Sequence, residues 1–98
     1  MSNYTKFTYL GHSAVLVHTA NNRKVIFDPW LDGNPACPAD KLDPGQLDLI
    51  CITHGHSDHV GQAISLAKST GAKICANFEL CCLLEADGVP NGQLHYMN

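Results

Sequence analysis

Up to residue 29 the apolar positions fall in short runs of strand-forming residues, and beyond residue 59 they recur at helical spacing. Lys6-Phe7-Thr8-Tyr9-Leu10 ends at Gly11, and Ala14-Val15-Leu16-Val17-His18 follows within a few residues, which predicts a paired hairpin. Asn21-Asn22 separates the second run from Lys24-Val25-Ile26-Phe27, a third strand closed by Asp28-Pro29, because Pro29 cannot continue a central ladder. Three such strands in succession predict an antiparallel meander. From Trp30 to Gln46 the composition turns to Gly, Pro, Asp and Asn, with Pro35, Pro38 and Pro44 spaced so that neither helix nor strand propagates. A loop of that length in a small domain is more often functional than idle. Trp30 reads as an anchor pinning the loop to the core, not as part of a site.

Leu49-Ile50-Cys51-Ile52 reads as a short buried strand. Val60, Ala63, Ile64 and Ala67 recur at i, i+3, i+4 and i+7, and Gly71 stands at a helix C-cap, so an amphipathic helix is predicted over roughly residues 60 to 70. Ala72 to Ala76 is another strand, and Asn77 caps a second helix from Phe78 towards Asp87, stopped by Gly88 and Pro90. Leu94 to Asn98 begins one more strand. Strand, helix, strand, helix is an α/β pattern.

The stretch Thr53-His54-Gly55-His56-Ser57-Asp58-His59 gathers four potential metal ligands within six residues, at the C-terminal end of a predicted strand. In an extended segment His54 and His56 point to the same side, so both imidazoles can meet one ion, and Gly55 removes a side chain that would crowd them. A bend at Ser57 lets Asp58 and His59 approach from a second direction, which makes two adjacent ions geometrically feasible. Neutral imidazole and carboxylate suit Zn2+ first and Mn2+ or Fe2+ next, and suit Ca2+ poorly. A solvated polar loop is the plain alternative. It would serve for one histidine, but not for three with an aspartate at a strand end.

Thr53 to His59 resembles the THxHxDH hallmark of the metallo-β-lactamase superfamily. The pieces Tyr9-Leu10-Gly11-His12-Ser13-Ala14, Val25 to Leu31 with Gly33-Asn34-Pro35, and Asn77-Phe78-Glu79-Leu80 narrow the resemblance to the UPF0173 metal-dependent hydrolases, relatives of the ascorbate-phosphate lactonase type. The resemblance implies an α/β fold that is the N-terminal half of an αββα sandwich, a mixed sheet with outer helices spanning residues 1–98, with metals at the seam between two sheets. It implies that His54 and His56 hold a first metal, that Asp58 and His59 hold a second, and that Asp58 also positions the nucleophilic water of an ester, lactone or phosphoester hydrolysis. Asp28 matches the family's earlier aspartate beneath the ligand loop. Read alone, it is equally an ordinary turn carboxylate beside Pro29. His12 matches a position near the pocket and reads as a supporting residue, or otherwise as a turn histidine. Gln62 stands where the family usually has an acidic residue, a departure that touches no ligand. The family's remaining ligands fall downstream of residue 98, so the chain is expected to be a fragment or truncated product, or to be completed by another polypeptide. His95, on the terminal strand, reads as packing. The rival class is a non-catalytic metal-binding or assembly module whose retained ligands bind one ion weakly or serve a partner interface; the chain alone is expected to self-associate through its uncovered sheet face or to be only partly folded.

Composition fits these readings. At 98 residues the chain holds one domain at most and is short for an α/β enzyme. With a formal net charge of -3 and its six Lys and Arg scattered, it offers no basic stripe to a nucleic acid. It has no apolar run long enough to span a membrane and no signal-peptide pattern, and it is expected in the cytoplasm acting on a small molecule. Five cysteines without a CxxC pair read as reduced thiols, three of them packing in apolar runs.

Overall fold

In the computed structural model, which describes residues 4–97, six strands form one mixed sheet in sequence order. Strands β1 (Lys6–Gly11), β2 (Ala14–His18) and β3 (Lys24–Phe27) make the expected antiparallel meander. Strands β4 (Leu49–Cys51), β5 (Lys73–Asn77) and β6 (Leu94–Met97) then add parallel to β3. Parallel neighbours need crossovers. These are supplied by the loop after β3, by helices α1 (Ser57–Val60) and α2 (Ala63–Thr70), and by helix α3 (Phe78–Ala86).

Period-two alternation decides which residues enter the core. Ile26, Ile50, Ile74 and Leu94 stand in register across β3 to β6 and are buried beneath Ala63 and Ala67 of α2 and Leu80, Cys81 and Leu84 of α3. Burial of each such isoleucine stabilises by roughly 1.5–3 kcal/mol. The opposite face carries the row Tyr9, Val15, Phe27, Cys51, Cys75 and His95, one residue from each strand. On it Phe7 is 71% and Tyr9 66% exposed, and Phe27 and Met97 are also open to solvent. The sheet is therefore buried on one face only.

The meander also aligns chain directions. Because β1 and β3 are both antiparallel to β2, they run the same way, and β4 to β6 follow β3. The residues leaving β1, β3 and β4, among them His12, Asp28 and Thr53 to His59, thus emerge at one edge of the sheet. Open α/β sheets place their sites at such an edge.

Several expectations need correction. The helix read over 60 to 70 is two: α1 ends at Val60, and Gly61 (φ 47°, ψ -123°) breaks the path before α2. The cause is tertiary, since the N–H of Gln62 donates to the Pro29 carbonyl at 3.0 Å, pinning the break against the end of β3. The loop from 30 to 46 contains one short 3-10 turn, Ala39–Lys41. Strand β5 lies one residue later than predicted, and β4 ends at Cys51 rather than Ile52. Asn77 caps α3 as expected, its Oδ1 accepting from the Leu80 N–H at 2.8 Å. Ser57 begins α1 rather than forming a simple bend. A Cβ at Gly55 would also stand 3.7 Å from Leu80 Cδ1 of α3. Asn98, read as part of the last strand, lies outside the described residues. Among the described residues no helix is long and apolar enough to cross a membrane.

Candidate metal centre

Asp28 anchors the site. It leaves β3 in the left-handed region (φ 46°), a conformation costly for a non-glycine residue, and is 2% exposed. Its Oδ1 accepts from the Thr53 N–H at 2.7 Å. Its Oδ2 accepts from the Thr53 hydroxyl at 2.7 Å and lies 2.9 Å from His59 Nδ1. One carboxylate thus ties the end of β4 to α1.

Those bonds fix two histidine tautomers. An ionised carboxylate only accepts, so His59 carries its proton on Nδ1 and leaves the Nε2 lone pair free. The single hydroxyl proton of Thr53 goes to Asp28, so its 2.9 Å contact with His54 Nδ1 is an Nδ1–H donating to the hydroxyl oxygen. His54 therefore also presents a bare Nε2. That atom faces His56 Nδ1 at 3.1 Å. The His54 and His59 ring centroids lie 4.0 Å apart, but neither His54 nor His56 belongs to the group of described residues whose ligand atoms all fall within 4.8 Å of one another.

His12 joins from the turn after β1, also with positive φ (56°). Its Nε2 lies 3.1 Å from Asp58 Oδ2, and its ring is 5.1 Å from that of His59. Ligand atoms of His12, Asp58 and His59 all fall within 4.8 Å of one another, so His12 stands where it could hold an ion together with Asp58 and His59. Trp30, read as a loop anchor outside the site, stands edge-on to His12 at 5.3 Å and borders the cluster. Partial desolvation pushes the Asp58 carboxyl up. Its own backbone N–H, the electrostatic attraction of the neighbouring His59 and His12 imidazoles and the His12 hydrogen bond outweigh this and hold it below the ordinary carboxylate range. His95 stands on the uncovered sheet face, apart from the cluster.

The donor set fits a borderline divalent ion. A tetrahedral zinc with nitrogens at about 2.0–2.1 Å holds them roughly 3.3 Å apart, and His54 Nε2 and His56 Nδ1 are already 3.1 Å apart. Carboxylate-oriented histidines are the usual support of such ions.

Three residues that sequence reasoning missed or dismissed hold this geometry. Thr53 relays Asp28 to His54. Gln62 Oε1 accepts from the N–H groups of Leu31 and Asp32 at 2.7 and 2.9 Å, clamping the loop after β3 to the start of α2. The buried Asn34 bridges the Gly11 and Trp30 carbonyls through its amide, at 3.1 and 2.9 Å, and so ties the His12 turn to that loop. A hydroxyl directly before the first histidine was the available signal for Thr53. Removing that hydroxyl in Thr53→Val should leave the fold intact and weaken zinc binding roughly tenfold, read by competition with a chromogenic chelator.

A mixed sheet that collects histidines and carboxylates at the C-terminal ends of its parallel strands defines an α/β protein with a candidate metal centre. The chain belongs to the metallo-beta-lactamase superfamily, whose family model matches residues 8–94. It is 46% identical over 93 residues to a UPF0173 metal-dependent hydrolase of Anaeromyxobacter sp. (strain K), covering 91% of this chain and 33% of that protein. It is 40% identical over 87 residues to a UPF0173 metal-dependent hydrolase of Rubrobacter xylanophilus, covering 89% of this chain and 36% of the relative. The structure of Igni18, a metallo hydrolase from Ignicoccus hospitalis, superposes with a TM-score of 0.81 at 33% identity, covering 96% of this chain and 40% of Igni18. The chain thus spans about a third of the length of the curated relatives it matches.

Proposed function

We propose that this chain is the metal-holding part of a metal-dependent hydrolase acting on a small ester, lactone or phosphoester. The observation that carries the reading is the single Asp28 carboxylate, which orients His59 directly and His54 through Thr53 so that each imidazole keeps a bare Nε2. His54 and His56 would hold a first ion and Asp58 and His59 a second, with His12 adding a donor to the latter. Zn2+ suits these donors best, with Mn2+ or Fe2+ next. Such an ion, when bound, supplies Lewis acidity and makes water a usable nucleophile near neutral pH. Asp58, ionised and flanked by His12, is suited to accept a hydrogen bond from that water and orient it. His12 holds Asp58, and Asp28 with Thr53 holds the imidazoles.

A further stretch of polypeptide, covering the open sheet face, would complete both the ligand set and the substrate pocket. The 98-residue chain should therefore retain zinc after dialysis yet turn over no aryl phosphodiester until a downstream half, expressed separately, is added. Failure to bind zinc would refute the metal-centre reading, and robust turnover by the chain alone would refute the division into halves.

A second reading, a non-catalytic metal-binding or assembly module, draws support from the exposed Phe7, Tyr9, Phe27 and Met97. On either reading the chain alone should self-associate through that face, and light scattering should report species larger than a monomer. A sharp, stable monomer would contradict this. Zinc-dependent hydrolysis by the reassembled halves that is lost in His56→Ala would exclude the second reading.

A further inference from the structure

On the sheet face opposite the helices, three sulfurs converge from three neighbouring strands. Cys51 of β4 and Cys75 of β5 are direct register partners on adjacent parallel strands, so their side chains project side by side from one face. Cys75 Sγ lies 3.0 Å from Met97 Sδ of β6. Cysteines that merely fill space turn their sulfurs towards hydrocarbon. Here Cys75 has the Met97 sulfur as its polar partner, Cys51 stands beside Cys75 in register, and all three residues belong to the face that the helices leave uncovered. The remaining thiols are elsewhere: Cys81 lies under the sheet, directed at the Ala76 and His95 carbonyls, while Cys37 is in the long loop and Cys82 is exposed on α3.

We infer that Cys51, Cys75 and Met97 form a second metal site, separate from the histidine cluster and selective for a soft monovalent ion, Cu(I) above all. Two thiols and a thioether are the donor class that prefers Cu(I) over harder ions. Structural zinc sites take four strong ligands, and only three sulfurs are gathered here. Binding is an exchange: one Cu(I) enters, the two thiol protons leave to solvent, the two thiolates coordinate, and the Met97 sulfur donates a lone pair without loss of a proton. No electron is transferred. Burial, followed by the adjacent Cys75, pushes the Cys51 thiol up to about 11, so without a metal the pair stays protonated and unreactive. The nearby Asp28 carboxylate adds to that shift and favours a cation beside Cys51.

The test uses the reduced 98-residue chain under anaerobic conditions, titrated with Cu(I) against a chromogenic Cu(I) chelator. X-ray absorption then reads the ligand type. One Cu(I) per chain in an all-sulfur shell is expected, and it should persist in Cys37→Ser/Cys82→Ser and in His54→Ala/His56→Ala. Cys51→Ser/Cys75→Ser should lower the affinity at least ~100-fold and Met97→Leu roughly tenfold. A nitrogen-dominated shell, affinity lost with the two histidines, tighter competition by Zn2+, or no binding at all would each overturn the inference. If the double serine variant fails to fold, the wild-type ligand shell and Met97→Leu decide.

Discussion

Replacing Asp28 by asparagine should cost the chain its zinc affinity, roughly 10–100-fold, while lowering stability much less than replacement by alanine does. The difference follows from which atoms donate. In Asp28→Ala the Thr53 N–H, the Thr53 hydroxyl and the His59 Nδ1–H all lose their acceptor at a site that is 2% exposed. Stranded donors and a lost charge-assisted network should together cost about 3 kcal/mol in a urea melt. In Asp28→Asn the amide oxygen can still accept from the Thr53 N–H, which keeps β4 attached. The amide nitrogen, however, puts hydrogens where Oδ2 had lone pairs, so His59 must turn an unprotonated Nδ1 towards it and carry its proton on Nε2. That proton then points into the cluster and blocks coordination. The Thr53 hydroxyl, losing its acceptor, turns its proton to His54 Nδ1, and the proton of His54 moves to Nε2 as well. Zinc competition and nitrogen NMR of the imidazoles read the two effects separately. Unchanged zinc affinity in Asp28→Asn would refute the claim that this one carboxylate sets both tautomers.

The same network marks how far the sequence could be read. The meander was legible because alternation and the Asn21-Asn22 and Asp28-Pro29 breaks are local signals. The cap of α3 was legible for the same reason, since Asn77 and Leu80 are three residues apart. His54, His56, Asp58 and His59 announced themselves by clustering. The approach of His12 to Asp58 did not, because a glycine turn and a long loop separate them in sequence and only the shared sheet edge brings them within 3.1 Å. Gln62 looked like a harmless departure from its relatives, yet its side chain holds two backbone N–H groups some thirty residues away. The Cys51–Cys75 pairing became visible only once the strand register was known.

The break between α1 and α2 was the clearest failure of helical periodicity, and it yields the largest expected effect. Gly61→Ala should destabilise the chain by roughly 4 kcal/mol or more, enough to unfold much of it at room temperature. An added Cβ would lie 2.3 Å from the Pro29 carbonyl oxygen, 2.4 Å from Trp30 Cα and 2.6 Å from the Pro29 carbonyl carbon. All three are backbone atoms at the end of β3, so no side chain can swing aside. The φ of 47° with ψ of -123° adds a conformation that residues with a Cβ avoid. Gly71→Ala is the matched control: it too has positive φ, 75°, but nothing lies within 4 Å of its Cβ, so only about 1–2 kcal/mol of left-handed strain is due. Relief of the Gly61 clash requires α1 to move away from Pro29, and α1 carries Asp58 and His59. The 2.9 Å bond between His59 and Asp28 must then lengthen, and whatever protein remains folded should bind zinc more weakly. Urea melts and zinc competition on Gly61→Ala and Gly71→Ala measure both consequences. If the two variants melt within about 1 kcal/mol of each other, the close approach of Gly61 to Pro29 is not what positions the second half of the ligand cluster.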